Sequence, residues 1–452
     1  MRRQSVDMTS GPIWKQMLLF AVPLLLGEVL QQLYAMVDSV MLGRLVGSAA
    51  LAAVGAADSV VNILVGFFTG LSVGCTVVIA QIFGRKDERQ LHAAVHTVVA
   101  VTFLCGLLLT GVGVALCRVI LRLMDVPGDV LEDTARYLTI YFGGLIGLVM
   151  YNIFAGIMRA VGNSRQPLHF LFFSSALNIA LDYVFIAGFR LGVAGAAYAT
   201  VLSQSISALL CFVLLLRTKE PWGFSFRERI ETNFIRAMAR HGVPIGLQKT
   251  INSLSNVILL SAIASFGTNV LSGYTIYRKV HHVSMCVTTA IGSAGTTFIS
   301  QNFGARDLNR CRRGLLVTLS LSMLLQAFLV VLTLLFHEPI IHLFGKDEAM
   351  FDSARTILFT IMWAQLLHAV MITYVSALRG YGHATRGTLC MIGGLVVGRQ
   401  IYLTAVRLWA NGLRAVCFSI PMGWIIAAAL MIPSFYSLDR RHQREFSEEK
   451  ND

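Results

Sequence analysis

Three carboxylates stand well inside long apolar runs of this chain: Glu28, Asp38 and Asp182. A carboxylate at the centre of a membrane-spanning helix costs about 2.5–3.5 kcal/mol on insertion scales, so it normally faces a cavity or a partner and marks an ion path. Asp38 precedes the Gly43-Arg44 exit of its run by five residues, and Asp182 precedes Gly188 by six. At 1.5 Å per residue both lie roughly 8–9 Å inside the outer ends of runs that point the same way. Asn178 is one helical turn before Asp182 and so projects from the same face. Two neighbouring carboxylates resist ionising together, which makes the pair a proton acceptor. With amide and hydroxyl oxygens beside it, the same cluster suits Na⁺, a hard cation that prefers oxygen ligands. A purely structural hydrogen-bonding role is the competing reading of both aspartates. Glu28 lies ten residues before Asp38, about 15 Å lower and about 80° round the helix. It fits either a substrate cavity, with Gln31, or a structural contact with Gln31, Gln32 or a neighbouring helix.

The elements that hold these groups follow from composition. Of 452 residues, 56% are apolar and 13% charged, against about 25% charged in soluble domains. A spanning helix needs roughly 20 apolar residues. Such runs occupy 14–42, 51–83, 92–117, 132–160, 168–189 and 193–216 in the first half, and 235–265, 270–303, 314–336, 352–377, 387–408 and 413–436 in the second. The fold class expected is an all-α polytopic membrane protein of twelve transmembrane helices. Its parts are a cytoplasmic tail at 1–13, an N-lobe at 14–217, a cytoplasmic linker at 218–234, a C-lobe at 235–436 and a cytoplasmic tail at 437–452. The net charge of +13 sits mostly in short loops on the side of the two termini. That distribution is the signature of cytoplasmic retention, with both termini inside, and not of nucleic-acid binding. The polar N-terminus leads into a full-length apolar run without a small-residue cleavage site, unlike a removable signal peptide. The eight cysteines are scattered through apolar runs without metal or redox spacing and read as packing residues.

The two halves repeat each other. Val22-Pro23 recurs as Val243-Pro244, Gln81-Ile-Phe-Gly84-Arg-Lys-Asp87 as Gln301-Asn-Phe-Gly304-Ala-Arg-Asp307, and Arg159-Ala-Val-Gly162 as Arg379-Gly-Tyr-Gly382, each about 220 residues on. Six spans per repeat is an even number, so the halves share their orientation about an axis along the membrane normal, with a central cleft between two pseudo-symmetric lobes. Arg159 and Arg379 at the repeated turns read as architecture, each meeting helix C-terminal carbonyls. The charges inside the spans do not repeat. All the deep acids are in the first half. Lys249, Arg278, Lys279 and Arg399 are all in the second. Lys249 either lines the cleft or snorkels to the inner interface. Arg399, mid-span, must find an acceptor, and it either repels cations on the C-lobe side or pairs with an acidic ligand. The adjacent His281 and His282 point to different sides of their helix and make a poor metal site.

Pro23, Val37-Asp38-Ser-Val-Met-Leu-Gly43-Arg44, Gln81-x-Phe-Gly84, Arg159-x-x-Gly162-Asn163 and Leu378-Arg379-Gly380-Tyr381-Gly382, in this order and spacing over about residues 10 to 436, resemble the multidrug and toxic compound extrusion (MATE) transporters. The resemblance implies two six-helix lobes and export of cationic or amphipathic compounds driven by inward H⁺ or Na⁺. Asp38, Asn178, Asp182 and Thr200 match the N-lobe cation site of the DinF-type branch. Pro23 matches the first-helix proline whose kink responds to protonation there. The NorM-type branch carries acids in helices seven and ten, where this chain has Gln248-Lys249-Thr-Ile-Asn252 and His368. His368 is either a satisfied interior histidine or a proton relay.

The function expected is a secondary antiporter by alternating access, with Asp38, Asp182, Asn178 and Thr200 as cation-coupling residues, Pro23 as hinge, and Glu28, Gln31, Gln248, Asn252, His368 and Arg399 as candidate cavity residues. The coupling ion is H⁺ or Na⁺, with no cofactor and no metal beyond Na⁺ at Asp38, Asp182 and Asn178. The partners expected are membrane lipid and a small organic cation or amphiphile, for a monomer in the bacterial cytoplasmic membrane. The alternative is a flippase for lipid-linked or other anionic substrates, supported by the basic residues of the second half. An enzyme is not expected, since no HExxH or phosphate-cradling GxxxxGK[ST] motif occurs.

Overall fold

A computed structural model describes residues 7–124, 128–225, 228–345, 347–409 and 412–448. The described residues form helices and turns with no strand, which is how a chain in hydrocarbon satisfies its backbone internally. In chain order the helices are α1 (Ile13–Leu45), α2 (Ser48–Arg85), α3 (Glu88–Leu123), α4 (Gly128–Gly143), α5 (Leu145–Ala160), α6 (Arg165–Asp182), α7 (Val193–Arg217), α8 (Thr232–Ala264), α9 (Thr268–Gly304), α10 (Leu308–Leu335), α11 (His337–His342), α12 (Glu348–Ile361), α13 (Gln365–Gly380), α14 (Ala384–Ile392), α15 (Arg399–Trp409), α16 (Leu413–Cys417) and α17 (Ser419–Glu448). Two π-helical turns, Tyr183–Gly188 and Gly393–Gly398, prolong α6 and join α14 to α15.

Ten stretches are long and apolar enough to cross a membrane, and a pair bent by 49°, Val130–Gly143 with Leu145–Ala160, supplies an eleventh. The bend falls at Gly144, where a Cβ would collide with Val201. The twelfth expected span is α8. Its 33 residues suffice to cross, but Arg236, Arg240, His241, Gln248, Lys249, Asn252 and Asn256 dilute its apolar character. The final helix outruns its expected span: α17 stays helical to Glu448, into the region expected as a tail. It does so because Leu438 and Asp439 are buried, Tyr381 donating to Asp439 at 2.8 Å and Arg312 pairing with it at 2.8 Å.

The repeat is visible in the turns. Lys86 and Arg306 take left-handed φ values of 58° and 60°, and the next residues, Asp87 and Asp307, cap α3 and α10 by accepting from Gln90 N and Arg310 N. Gly162 and Gly382, at φ 82° and 78°, close α5 and α13, and the following Asn163 and His383 amides donate back to Met158 and Leu378 carbonyls. Only these turn conformations explain why those glycines recur.

The compact units do not divide at the linker. One comprises Val22–Gly246, and the other takes Met8–Ala21 together with the chain from Leu247 onward. In the first unit α5 packs on α2, α3 and α7, and the start of α8 crosses α2 so closely that a Cβ on Gly70 would collide with the Gly246 backbone. Small residues of this kind let helices approach where lipid gives no hydrophobic drive. In the second unit α9 packs on α10, α12 and α13, and α13 on α17. The segment before α1 is latched there. Met8 is buried, its amide donating to Gln301 and its carbonyl accepting from Asn302, while Arg310 donates to the Met8, Ser10 and Gly11 carbonyls and to Gln16.

Gly70→Ala is expected to destabilise the protein by about 1–3 kcal/mol or more, the cost of overpacking. Gly55→Ala, where no atom lies within 4 Å of the added carbon, is expected to be neutral or stabilising. Thermal unfolding in detergent reads both, and equal effects would remove the close crossing as the cause.

Candidate functional site

In the first unit the structure gathers the expected carboxylates into one polar nest. Asp38 comes from α1 and is half-buried; Asp182 ends α6 and is fully buried, and the two interact electrostatically. Asp182 is followed at once by the π turn Tyr183–Gly188. A π turn loosens the regular bonding ladder and occurs frequently at functional sites. Asn178, one turn below Asp182, is buried. Both Asp182 oxygens, both amide atoms of Asn178, Asp38 Oδ1, Ser175 Oγ and Gln204 Oε1 are buried without a hydrogen-bond partner among the described residues. Such groups are costly to leave unsatisfied. Ser175, Asn178 and Asp182 lie along one face of α6, so five of these seven atoms form a single polar stripe.

Thr200 is half-buried on α7, one turn before Gln204, and its carbonyl accepts from Ser203 at 2.9 Å. Thr200 shares the unit of the aspartates through the packing of α7 on α6. Sequence reasoning missed Tyr34 and Gln204, whose side chains interact beside Asp38. It also missed Tyr137 and Tyr141, which feel the same charges, while Asp58, expected near interfacial water at the outer end of its span, interacts electrostatically with Asp38. The signal for Tyr34 and Gln204 was available: each is one helical turn from a residue already singled out, Asp38 and Thr200.

Pro23 is buried inside α1, at the second residue of the first unit's share of that helix. Glu28 and Gln31 are half-buried further along it. Glu28 interacts electrostatically with Arg159, whose guanidinium also reaches Ser72 Oγ at 3.5 Å. Arg159 therefore points into the lobe, contrary to the expectation that it meets helix-end carbonyls. Arg379 does the same in the second unit, donating to Gln248 Oε1 at 3.1 Å. Glycine geometry alone closes these turns, which leaves the arginines to face the interior.

The remaining second-unit candidates fall into two groups. Gln248, buried on α8, contacts Met391 Sδ at 3.0 Å besides accepting from Arg379, and Asn252 one turn on keeps a buried Oδ1 without a partner. Arg399 is 6% exposed and donates to Asn256 Oδ1 at 2.9 Å and to Ser255 Oγ. These are the acceptors the sequence could not name. His368 is instead packed in an aromatic box, its ring 5.2 Å from Trp424 and 5.7 Å from His281, with Nδ1 unpartnered. His281 also bonds Gln365 and stacks on Tyr277. Among the described residues no group of three or more His, Cys, Asp or Glu is placed to hold a metal ion.

Ten apolar spans and an eleventh bent pair among the described residues, in two halves that share their turns and bury ionisable groups of opposite sign, define a polytopic membrane protein of the transporter class. The MatE family model matches residues 23–184 and 244–401, once in each half. The chain belongs to the MATE family. It is similar to "Probable multidrug resistance protein YoeA" of Bacillus subtilis, 31% identical over 78% of this chain and 78% of that one. The "FAD transporter" of Shewanella oneidensis is 23% identical over 91% and 92%. A MATE transporter of the MOP superfamily, solved in an outward-facing conformation, superposes with a TM-score of 0.91 at 21% identity, covering 97% of this chain and 99% of that one.

A carboxylate held for coupling and not for packing contributes nothing to stability. Asp182→Leu is accordingly expected to leave the unfolding free energy unchanged or to raise it by up to about 1–3 kcal/mol of relieved desolvation. A fall of comparable size in a detergent unfolding assay would make Asp182 a structural residue.

Proposed function

We propose that this MATE transporter is a secondary antiporter that exports cationic or amphipathic organic compounds in exchange for H⁺ or Na⁺, and that Asp38 and Asp182 are its coupling pair. One observation carries the reading: Asp182 is buried, feels the charge of Asp38, and keeps both its oxygens without a partner among the described residues. Like charges close together in a low-dielectric setting resist ionising together, so one H⁺, or one Na⁺ bridging both with the Asn178 and Thr200 oxygens, relieves the repulsion. An organic cation and the coupling ion then compete for the same negative charge, which is the minimum an exchanger requires. Neutralising Asp38 changes the forces on α1, and the proline within that helix, lacking one backbone bond, is where it can bend. Glu28 and Gln31, on the same helix, would line the path of the substrate. The chain would act as a monomer in the bacterial cytoplasmic membrane with both termini inside.

A second reading, movement of anionic or lipid-linked substrates, is favoured by one observation. Arg379 and Arg399 are bound by neutral side chains, with no carboxylate partner among the described residues. The similarity to a protein named as an FAD transporter points the same way.

Efflux of ethidium from everted vesicles, driven by an imposed H⁺ or Na⁺ gradient, tests the first reading. Asp38→Asn and Asp182→Asn are each expected to reduce gradient-driven efflux by at least about tenfold, the scale of one lost charge-assisted interaction, at unchanged insertion. Efflux at the parental rate in both variants would remove the coupling pair. Transport of polyprenyl-linked sugar without ethidium efflux would establish the second reading.

A further inference from the structure

We infer that the second unit carries a binding subsite for an anionic group, a carboxylate or phosphate borne by an amphipathic organic substrate, centred on Arg399 and the polar face of α8. The inference rests on the chain being an exporter and names a substrate chemistry that the N-lobe carboxylates would not recognise.

The guanidinium of Arg399 is buried, yet both its described acceptors, Asn256 Oδ1 and Ser255 Oγ, are neutral. Its Nε–H has no partner among the described residues. The groups that interact with it electrostatically are the phenols of Tyr274 and Tyr277, not an acid. Ser255 Oγ is further committed, accepting from Gln400 at 2.8 Å and donating to Leu395 O at 3.4 Å. A buried guanidinium normally sits against a carboxylate, because neutral dipoles replace only part of its lost hydration. Here positive charge is left over.

That surplus faces a continuous polar stripe. Gln248, Asn252 and Asn256 recur every fourth residue of α8 and so share a face about 12 Å long. Three amides on one face at membrane depth belong beside water or ligand, not lipid. Asn256 is exposed, and Asn252 Oδ1 has no partner among the described residues. At the other end Gln248 holds Arg379, whose Nε is also buried and unpartnered and which no carboxylate approaches among the described residues. Lys249 adjoins it in sequence. Two arginines with spare N–H groups, bracketing a row of amides, match a planar anionic group and the polar atoms of its ring system. The π turn Gly393–Gly398 ends at Arg399 just as the other π turn begins at Asp182, so each unit presents its buried charge beside an irregular turn.

Equilibrium binding to the purified full-length protein in neutral detergent, read by fluorescence anisotropy, tests this with fluorescein as the anion and ethidium as a cation of similar ring size. Arg399→Gln is expected to weaken fluorescein binding by about tenfold or more, the loss of one charge-assisted hydrogen bond, with ethidium changed by less than about twofold. Arg399→Lys restores part of the difference. Equal weakening of both probes, or no effect on either, overturns the subsite. Should Arg399→Gln not yield monodisperse protein, Arg379→Gln is read by the same ratio of probes. Displacement of bound fluorescein by flavin mononucleotide supports a soluble anion; displacement by phosphatidylglycerol in the micelle and not by flavin mononucleotide overturns it. Binding needs no gradient, so loss of efflux in Asp38→Asn with intact fluorescein affinity would leave the subsite standing, and intact efflux in that variant would not affect it.

Discussion

Charge is expensive at hydrocarbon depth, and this chain arranges its helices around the few charges it keeps there. A carboxylate or guanidinium inside a span must be given water, a counter-ion or hydrogen bonds, and each choice leaves a trace. Among the described residues Asp182 has no hydrogen-bond partner, Arg399 has neutral ones, and Arg159 shares its field with Glu28. Among these only Arg159 stands in any relation to an opposite charge. A protein selected purely for stability would replace the others with leucine. Their retention in two separate units, acids in one and bases in the other, is the physical basis for reading both as places where something charged arrives and leaves.

The repeat shows which parts of the chain were free to diverge. The turns are the same in both halves down to the left-handed φ of Lys86 and Arg306 and the glycines after Arg159 and Arg379. Turn chemistry is dictated by backbone sterics and has few solutions, so duplicated segments keep it. The interior contacts have diverged. Arg159 interacts with Glu28 on α1, whereas Arg379 bonds Gln248 on α8, so the same architectural arginine sees a charged group in one unit and a neutral amide in the other. The lobes share a frame and carry opposite chemistry within it.

Much of this was legible in the sequence, for reasons that also explain the gaps. Asp38 and Asp182 stood out because an acid in an apolar run is conspicuous, and equal depth placed them together. Tyr34 and Gln204 did not, since a neutral polar residue in a span carries no comparable penalty and is common at helix contacts. Eleven spans were visible as apolar runs that the structure reproduces, one of them through a bent pair. The span at α8 was weakest because its polar stripe lowers its hydropathy, and that stripe is what makes it interesting. The direction of Arg159 and Arg379 was misjudged because spacing fixes where a Cα lies on a helix but not where six side-chain atoms lead. Nor could spacing reveal that Met8–Ala21 belongs with the second unit. That depends on Gln301, Asn302 and Arg310, nearly three hundred residues away, closing on a short polar segment.

This latch bears on how α1 could work. Met8, Ser10, Gly11 and Gln16 are tied to Arg310, and Met17 packs against Thr318 at 3.5 Å, so the first turns of α1 are fixed to α10. Asp38 lies some 15 residues beyond Pro23, about 22 Å along the helix. A helix fixed at its foot and pulled near its far end transmits the load as a bending moment, which the regular ladder resists and a missing amide concedes. Val22 is the first residue assigned to the other unit, so the weakest bond in α1 coincides with the place where its packing partners change. The contacts of Met8 to Met17 therefore fix the foot of α1 within the second unit, and Pro23 is the first point beyond them where the helix lacks a backbone bond.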